Sequence, residues 1–275
     1  MMNIGINIGV NTRVGAGLSY CGELVRVHDP DRFLLSMFAP ADVREDLWAL
    51  FAFNYEIAKT REVVSETQLG LIRLQWWRDA ITGIYEKNEV LEHKILQVLA
   101  GAIKRHDLPR ELFDTLIYAR EFDLEDILPG NVEGVVNYAD FTTTPLMKLA
   151  VKITGGDVEA EPVQPVAVNY ALTGLLRAVP FYARQRRCYL PEDLLKEYGQ
   201  RVDHLYEFKP VEGLPAVVDA VLGQFVVGVK GENRFLGKSN RMACIYFKQL
   251  KRVGCDVFCP KLSVGPAFKA LRLFL

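Results

Sequence analysis

The stretch LWALFAFNYEIAKTREVVSE, Leu47 to Glu66, decides the fold class of this chain. Its first seven residues are apolar, and the run continues for about five turns without glycine or proline, which favours a helix over a buried strand. A helix that is apolar on all sides belongs at the centre of an all-helical domain. Its second half adds polar groups such as Asn54 and Lys59. We therefore predict a central helix whose polar half either lines a cavity or emerges into solvent.

Helical patterns continue along the rest of the chain, and no segment shows the alternation typical of a strand. Ser65 and Gln68 form a capping-box pattern that opens the next helix. Trp76 and Trp77 are adjacent, so we expect one in the core and the other lining a groove or a neighbouring helix. The apolar face predicted for this helix consists of Leu69, Ile72, Trp76, Ala80 and Ile84.

Glycine, proline and polar clusters divide the remaining sequence into elements. Residues 155–165, GGDVEAEPVQP, read as a surface linker, and Pro180 is expected to kink or unwind the helix that contains it. A short helix is predicted to end at Gly199, and a polar loop follows to Gly213. The longer predicted helices span residues 90–106, 109–126, 132–154, 166–188, 215–230 and 240–253.

Composition bounds the class of protein. Half of the 275 residues are hydrophobic, so the chain can bury a large core, and we predict a flexible tail over residues 1–20 and one helical domain over 21–275. Lys and Arg number 33 against 34 acids, so no global field favours nucleic acid, and no nucleic-acid partner is expected. The five cysteines are odd in number and form no CxxC pair, which favours a reducing compartment such as the cytoplasm.

Several blocks of this sequence resemble the squalene/phytoene synthase family over residues 21–199. They are RFLLSMFAP (32–40), REDLWALFAFNYEIAKTRE (44–62), LIRLQWWRDAITGIY (71–85), NYADFTTTPLMKLAVKITG (137–155) and LLRAVPFYARQRRCYLP (175–191). The resemblance implies an all-α, isoprenoid-synthase-like bundle around a central apolar cavity. In active members, aspartate-rich helices at the cavity mouth hold Mg²⁺, which binds the diphosphates of two prenyl substrates. Hard cations with oxygen ligands neutralise the charge of the departing diphosphate.

The sequence departs from the family at the positions of those aspartates. They are Ala58, Lys59 and Glu62 in the first motif, and Ala178, Phe181 and Tyr182 in the second. One carboxylate remains, and a lysine on the same side would repel a metal ion. We therefore expect vestigial motifs, with no catalytic residue and no metal site. Under the alternative, an altered metal site would still use Mg²⁺ as its cofactor.

Cations beside the expected cavity mouth offer a different binding chemistry. Arg177, Arg184, Arg187 and Tyr189 are candidates for holding a phosphate or carboxylate without metal, since arginine binds oxyanions bidentately. The alternative is that these are surface charges paired with nearby acids such as Glu192. A further acidic cluster, Asp123, Glu125 and Asp126, is interpreted as a solvated helix face.

The blocks AFNYEIA, RLQWW and LRAVPFYARQRRCYLP are most similar to a divergent branch of the family, which includes a mitochondrial assembly factor for respiratory complex I and its bacterial relatives. This resemblance implies a non-catalytic assembly or binding factor, with respiratory NADH dehydrogenase subunits or assembly factors as partners and an isoprenoid or lipid chain as a ligand. The competing hypotheses are a prenyl-diphosphate transferase with an altered metal site and a lipid or quinone carrier.

The same resemblance bears on location. It implies the cytoplasm, or the mitochondrial matrix in a eukaryote, with peripheral contact at the inner membrane. The C-terminal FKALRLFL, residues 268–275, mixes cations with large apolar residues, so it could rest on a membrane surface or form a last core helix. No apolar run reaches the length of about 20 residues that a membrane span requires.

Overall fold

The computed structural model describes residues 17–125, 127–209 and 212–274. This part of the chain forms α-helices and short 3₁₀ and π turns, without strands, which confirms the predicted all-α class. Most of the predicted tail, residues 1–16, lies outside the described residues, and the first helix already begins at Tyr20. The α-helices are α1 (Tyr20–His28), α2 (Pro30–Ser36), α3 (Arg44–Ala58), α4 (Thr60–Val63), α5 (Thr67–Thr82), α6 (Lys94–His106), α7 (Arg110–Phe122), α8 (Val132–Ile153), α9 (Val163–Arg177), α10 (Val179–Arg184), α11 (Glu192–Glu197), α12 (Val202–Tyr206), α13 (Leu214–Leu222), α14 (Arg234–Arg252) and α15 (Lys269–Phe274).

Helix α3 is the predicted central helix and is buried nearly all round. It packs against α1, α6 and α8, and two acids in its first turn complement the helix dipole. The predicted continuation to Glu66 is wrong, because the helix breaks at Lys59, where ψ is −3°. One more turn, α4, then ends in extended backbone at Val64. The polar half therefore becomes a bend at the edge of the core.

Helix α5 buries a different face from the predicted one. Leu69, Ile72 and Trp76 are exposed, although Ala80 and Ile84 are buried as expected. Its buried face consists of Gly70, Leu74, Trp77, Ala80 and Ile81. Apolar residues surround the first half of the helix, so spacing alone could not select the face. The contact at Gly70 distinguishes the buried face. A Cβ at this position would lie 2.6 Å from Leu124 Cδ2, so only glycine lets α5 pack this closely against Leu124.

The start of α5 also differs from the prediction. Glu66 is the residue before the first helical turn, and its side chain makes no capping hydrogen bond. The capping box predicted for Ser65 and Gln68 is therefore wrong. Among the adjacent tryptophans, Trp77 is 1% exposed and Trp76 is 41% exposed, which confirms that only one belongs to the core.

Helices α8, α9 and α14 form the second half of the bundle. Helix α9 packs against both α8 and α14, and these three helices contribute to both clusters of buried side chains. The segment containing Pro180 is interrupted at Ala178, between α9 and α10, which confirms the predicted break. Helix α12, in the predicted polar loop, and the early start of α14 at Arg234 were not predicted.

None of the helices in the described residues combines the length and apolar character needed to cross a membrane.

The centre of the bundle is filled by its own side chains. The space between α2, α3, α8, α9 and α14 has a volume of about 10 Å³, about the minimum that holds one water molecule. Arg32 lines it, with its guanidinium carbon 5.9 Å from the centre of the Phe51 ring and 5.3 Å from that of Tyr170. The fold class is confirmed, and the space at this position is lined by an arginine and two rings that leave room for about one water molecule.

The two adjacent tryptophans give a matched test of the core. Trp77 packs edge-on against Phe53, with ring centres 5.4 Å apart, and Phe53 packs in the same way on Phe113. We expect Trp77→Ala to destabilise the fold by about 3 to 5 kcal/mol, because it removes a large buried side chain. The exposed control Trp76→Ala should cost about 1 kcal/mol or less. Urea denaturation followed by circular dichroism measures both, and equal losses would contradict this packing.

Candidate functional site

The first-motif positions lie around the bend between α3 and α4. Ala58 is the last residue of α3, and Glu62 lies exposed on α4. The Lys59 ammonium is 2.6 Å from Glu56 Oε1, and the Arg73 guanidinium is 2.7 Å from Glu56 Oε2. Glu56 is buried with its charge balanced by these two cations. The acid nearest to the motif is therefore already paired within the protein.

The second-motif positions lie around the break between α9 and α10. Ala178 is the residue at the break, and Phe181 is exposed with its ring edge-on to Tyr182 at 5.7 Å. Tyr182 is the position that the fold brings towards the first motif. Burial raises the pKa of Tyr182, and the charges of Asp123 and Glu62 raise it further. The Glu62 carboxylate on α4 is thus near enough to the Tyr182 phenol on α10 to raise its pKa.

A buried group that we call the tyrosine–aspartate cluster lies beside Tyr182. Asp123, at the end of α7, accepts hydrogen bonds from the Tyr138 hydroxyl at 2.7 Å and the Tyr189 hydroxyl at 3.0 Å, both on Oδ1. Its Oδ2 accepts from an Arg120 Nη1 at 3.2 Å. The rings of Tyr138 and Tyr189 stack at 4.8 Å, and Tyr182 meets Tyr189 edge-on at 4.7 Å. Three donors from three segments therefore hold one carboxylate.

The electrostatics of the cluster follow from its burial. The side chains of Arg120 and Asp123 are 11% and 6% exposed. Burial alone would lower the pKa of Arg120, but Asp123 and the neighbouring phenols together raise it. Burial and the Asp123 charge raise the pKa of Tyr138 and Tyr189 above the usual range. The Arg120 guanidinium therefore stays charged and the phenols stay protonated at neutral pH.

A second set of polar contacts joins the start of α2 to α14 and α15. Asp29 caps α2 through the Arg32 backbone N–H and pairs with the Arg32 guanidinium at 2.6 Å. Asp31 accepts hydrogen bonds from the Tyr246 hydroxyl and the Lys269 ammonium. The charge of Arg120 lowers the pKa of Arg32, although the pairing with Asp29 outweighs this effect and raises it. These pairs keep polar side chains in the region where the resemblance implied an apolar ligand.

The contacts divide the four candidate anion-binding residues among three places. Arg177 stacks on the Tyr246 ring at 3.5 Å and lies 3.9 Å from Asp31 Oδ2. Arg184 lies 5.8 Å from the centre of the Phe208 ring. Arg187 and Tyr189 lie together in a small cavity of about 30 Å³. The pairing considered with Glu192 is wrong, because Glu192 pairs with Lys196.

Sequence reasoning missed the tyrosine–aspartate cluster. Asp123 was interpreted as part of a solvated acidic face, but it is buried. Glu125 is exposed as expected, and Asp126 lies outside the described residues. The signal that could have revealed the cluster is Tyr138, which lies between the buried residues Val135 and Ala139 of α8. A phenol on a buried helix face requires a buried acceptor.

An apolar groove lies outside the cluster, between α7 and α8. Its volume is about 380 Å³, and Asp123, Tyr138 and Tyr189 lie at its polar end. Its large apolar lining residues are Tyr118, Phe122, Ile127, Leu128 and Phe141. This groove is much larger than the space at the centre of the bundle.

Comparison with known proteins identifies the family. Residues 25–225 match the family model described as squalene/phytoene synthase. The chain belongs to the squalene/phytoene synthase family. Dehydrosqualene synthase shares this fold with a TM-score of 0.75 at 15% identity, covering 93% of each chain. The squalene synthase HpnC from Alicyclobacillus acidocaldarius has a TM-score of 0.69 at 17% identity, over 85% of this chain and 92% of that one.

Some relatives in the squalene/phytoene synthase family are named as assembly factors and others as enzymes. NADH dehydrogenase (ubiquinone) complex I, assembly factor 6, from Bos taurus is 28% identical over 97% of this chain and 85% of that protein. The Homo sapiens protein of the same name is 28% identical over 93% of this chain and 80% of its own length. A phytoene synthase from Thermus thermophilus is 27% identical over 74% of this chain and 68% of that protein. The family thus contains relatives named as enzymes and relatives named as assembly factors.

Removing the charge of Asp123 tests the cluster. We expect Asp123→Asn to destabilise the protein by about 3 kcal/mol, because Arg120 is left buried without its counter-charge. The control Glu125→Gln removes an exposed acid two residues away and should change stability by less than about 0.5 kcal/mol. Urea denaturation measures both variants. A neutral effect of Asp123→Asn would contradict the buried ion pair.

The phenols give a test by pH. Their pKa values are raised in the folded state, so the folded protein holds these protons more tightly than the unfolded chain does. Stability is therefore fully present below the ordinary tyrosine pKa near 10 and falls as the pH rises above it. We expect Tyr138→Phe to reduce the slope of this decline, measured by urea denaturation across alkaline pH. An unchanged slope would show that Tyr138 ionises as in the unfolded chain.

Proposed function

We propose that this chain is a non-catalytic member of the squalene/phytoene synthase family that acts in the assembly of the respiratory NADH dehydrogenase, complex I. Two lines support the proposal. Relatives that align with most of the chain carry the name of a complex I assembly factor. The interior of the bundle also carries ion pairs where a prenyl-coupling enzyme needs open space for substrate.

The observation that carries the proposal is the filled centre of the bundle. A volume of about 10 Å³ beside Arg32, Phe51 and Tyr170 does not admit a prenyl chain. Arg32 is held there by its ion pair with Asp29 and by two rings. Opening the space would expose a buried cation to a hydrocarbon ligand, which is unfavourable. An apolar isoprenoid or lipid chain fits the outer groove between α7 and α8 better than the centre.

The residues present do not fit the magnesium cluster that the fold family implies. The side chains of Ala58 and Ala178 offer no oxygen, and the Lys59 ammonium pairs with Glu56 at 2.6 Å. Glu56, the buried acid nearby, is already shared by two cations. A Mg²⁺ ion needs several oxygen ligands in octahedral geometry. The proposed function therefore involves no metal-dependent step.

Genetic complementation in the native host separates assembly from catalysis. We expect loss of the gene to lower membrane NADH:quinone activity, and both wild type and Glu62→Ala to restore it, because the carboxylate has no chemical task in this proposal. The control Glu66→Ala alters a neighbouring exposed acid. A folded Glu62→Ala protein that fails where Glu66→Ala succeeds would contradict the non-catalytic role.

Two biochemical measurements address the partner and the competing enzymatic function. Affinity purification from the native host should recover NADH dehydrogenase subunits or assembly factors together with the tagged protein. Incubation with farnesyl or geranylgeranyl diphosphate and Mg²⁺ should release no pyrophosphate above the rate without protein. Turnover that Glu62→Ala abolishes would instead establish a prenyl-diphosphate transferase with an altered metal site.

The proposal also includes a location. Complex I assembly places the protein at the membrane face where NADH is oxidised, in the matrix of mitochondria or the cytoplasm of bacteria. Peripheral contact with that membrane then requires a surface that attracts lipid.

A further inference from the structure

The outward side of α14 carries a line of cations. This helix of 19 residues contains six lysines and arginines and no acid, whereas the whole chain has a net charge of −1. Arg234, Arg241 and Lys248 recur every seven residues, so they lie on one side of the helix over about 21 Å. Positive charge is therefore concentrated on one surface of a nearly neutral protein.

These cations line a groove between α14 and the C-terminal helix α15. The groove has a volume of about 570 Å³, and Glu232 at its edge is the acid among its lining residues. The Lys238 ammonium donates to the Leu273 carbonyl oxygen at 2.6 Å, and Arg241 Nε donates to the Arg272 carbonyl oxygen. The backbone of α15 therefore orients two of the cations. The cations that line the groove are Arg234, Lys238, Arg241, Lys248 and Arg272.

The charges in the groove are crowded and lack acidic partners. Among the described residues, no carboxylate forms an ion pair with any of these five side chains, whereas Lys251 at the end of the same helix pairs with Asp219. Partial burial lowers the pKa of Lys238, and the like charges of Arg241 and Arg234 lower it further. A multiply charged anion would relieve this repulsion.

Large apolar side chains border the groove. Phe268, Leu271 and Phe274 are 80%, 56% and 70% exposed, although Leu273 of the same helix is buried. The Phe274 ring lies 5.2 Å from that of Phe38, and the Lys238 ammonium lies 5.4 Å from the centre of the Phe38 ring. Phe274 and Lys238 are therefore neighbours through the Phe38 ring, and Leu271 lies on the same short helix as Arg272 of the groove.

This combination identifies the kind of partner. Cations beside exposed aromatic and aliphatic side chains are typical of segments that lie in the interface of a membrane. Lysine and arginine near an anionic leaflet each strengthen attachment, and the apolar side chains gain by leaving water. A small soluble anion or a nucleic-acid backbone would use the cations but leave Phe268, Leu271 and Phe274 in water. The lining thus favours an anionic bilayer.

We infer that the α14–α15 face, defined by the five groove cations and by Phe268, Leu271 and Phe274, docks the protein on a bilayer of anionic phospholipids. Lipid phosphates bind the groove cations, and the apolar side chains of α15 enter the headgroup region. The remaining surface is negative on balance and faces away from the bilayer. This docking does not depend on the proposed role in complex I assembly.

Vesicle sedimentation with the full chain tests the inference. We expect binding to vesicles of phosphatidylcholine mixed with phosphatidylglycerol, and little binding to phosphatidylcholine alone. Added salt should weaken the binding because it screens exposed charges. Arg241→Glu with Lys248→Glu should reduce the partition coefficient by at least about twentyfold, since each cation contributes about fivefold.

A matched control separates the face from net charge. Arg201→Glu with Lys209→Glu reverses two exposed cations outside the groove and changes the net charge equally. This control should retain most of the binding. Phe268→Ser with Leu271→Ser should remove the part of the binding that survives high salt, because it deletes the apolar contribution. Circular dichroism checks that each variant is folded.

Four outcomes would overturn the inference. They are equal binding to neutral and anionic vesicles, absence of binding to both, an equal loss in the control variant, and failure of the serine variant to alter salt-resistant binding. Inorganic pyrophosphate and duplex DNA are added as competitors. Displacement from vesicles by pyrophosphate at micromolar concentration would assign the groove to a soluble phosphate ligand. Displacement by DNA at lower concentration than anionic lipid would assign it to nucleic acid.

Discussion

The fold depends on one buried carboxylate and the groups that satisfy it. Asp123 accepts hydrogen bonds from Arg120, Tyr138 and Tyr189, which belong to α7, α8 and the loop after α10. A buried charge is tolerated only when it is paired and hydrogen-bonded, so these three segments must keep their relative positions. The carboxylate therefore fixes how the two halves of the bundle meet.

A similar constraint acts at the centre. The guanidinium charge of Arg32 is balanced by Asp29, and the rings of Phe51 and Tyr170 lie 5.9 and 5.3 Å from its carbon. Each of these contacts favours the closed arrangement, and together they fill the space that an apolar substrate would need. The scaffold of the family is thus retained, and its apolar core carries an ion pair at this position.

The sequence predicted the helices better than the interior. Apolar runs and proline positions located α3, α8 and the break before Pro180, because these depend on local pattern. The buried face of α5 depended on close packing of Gly70 on Leu124, which spacing could not reveal. The charge of Asp123 is satisfied by partners up to 66 residues away, so its burial is not visible in its own neighbourhood. A short run of acidic residues therefore predicts a solvent-exposed surface, unless the distant residues that pair with them are known.

The contact between Gly70 and Leu124 links these observations. The Thr67 hydroxyl, at the start of α5, donates to the Leu124 carbonyl oxygen at 3.3 Å. Helix α5 therefore contacts both the backbone and the side chain of Leu124. Leu124 directly follows Asp123 in the chain. Because Gly70 has no side chain, α5 packs closely against Leu124, and this contact determines how deeply the adjacent Asp123 is buried. Homologues with a bulkier residue at this position would have to move the turn outward, and their electrostatic interior would be rearranged by a residue that carries no charge.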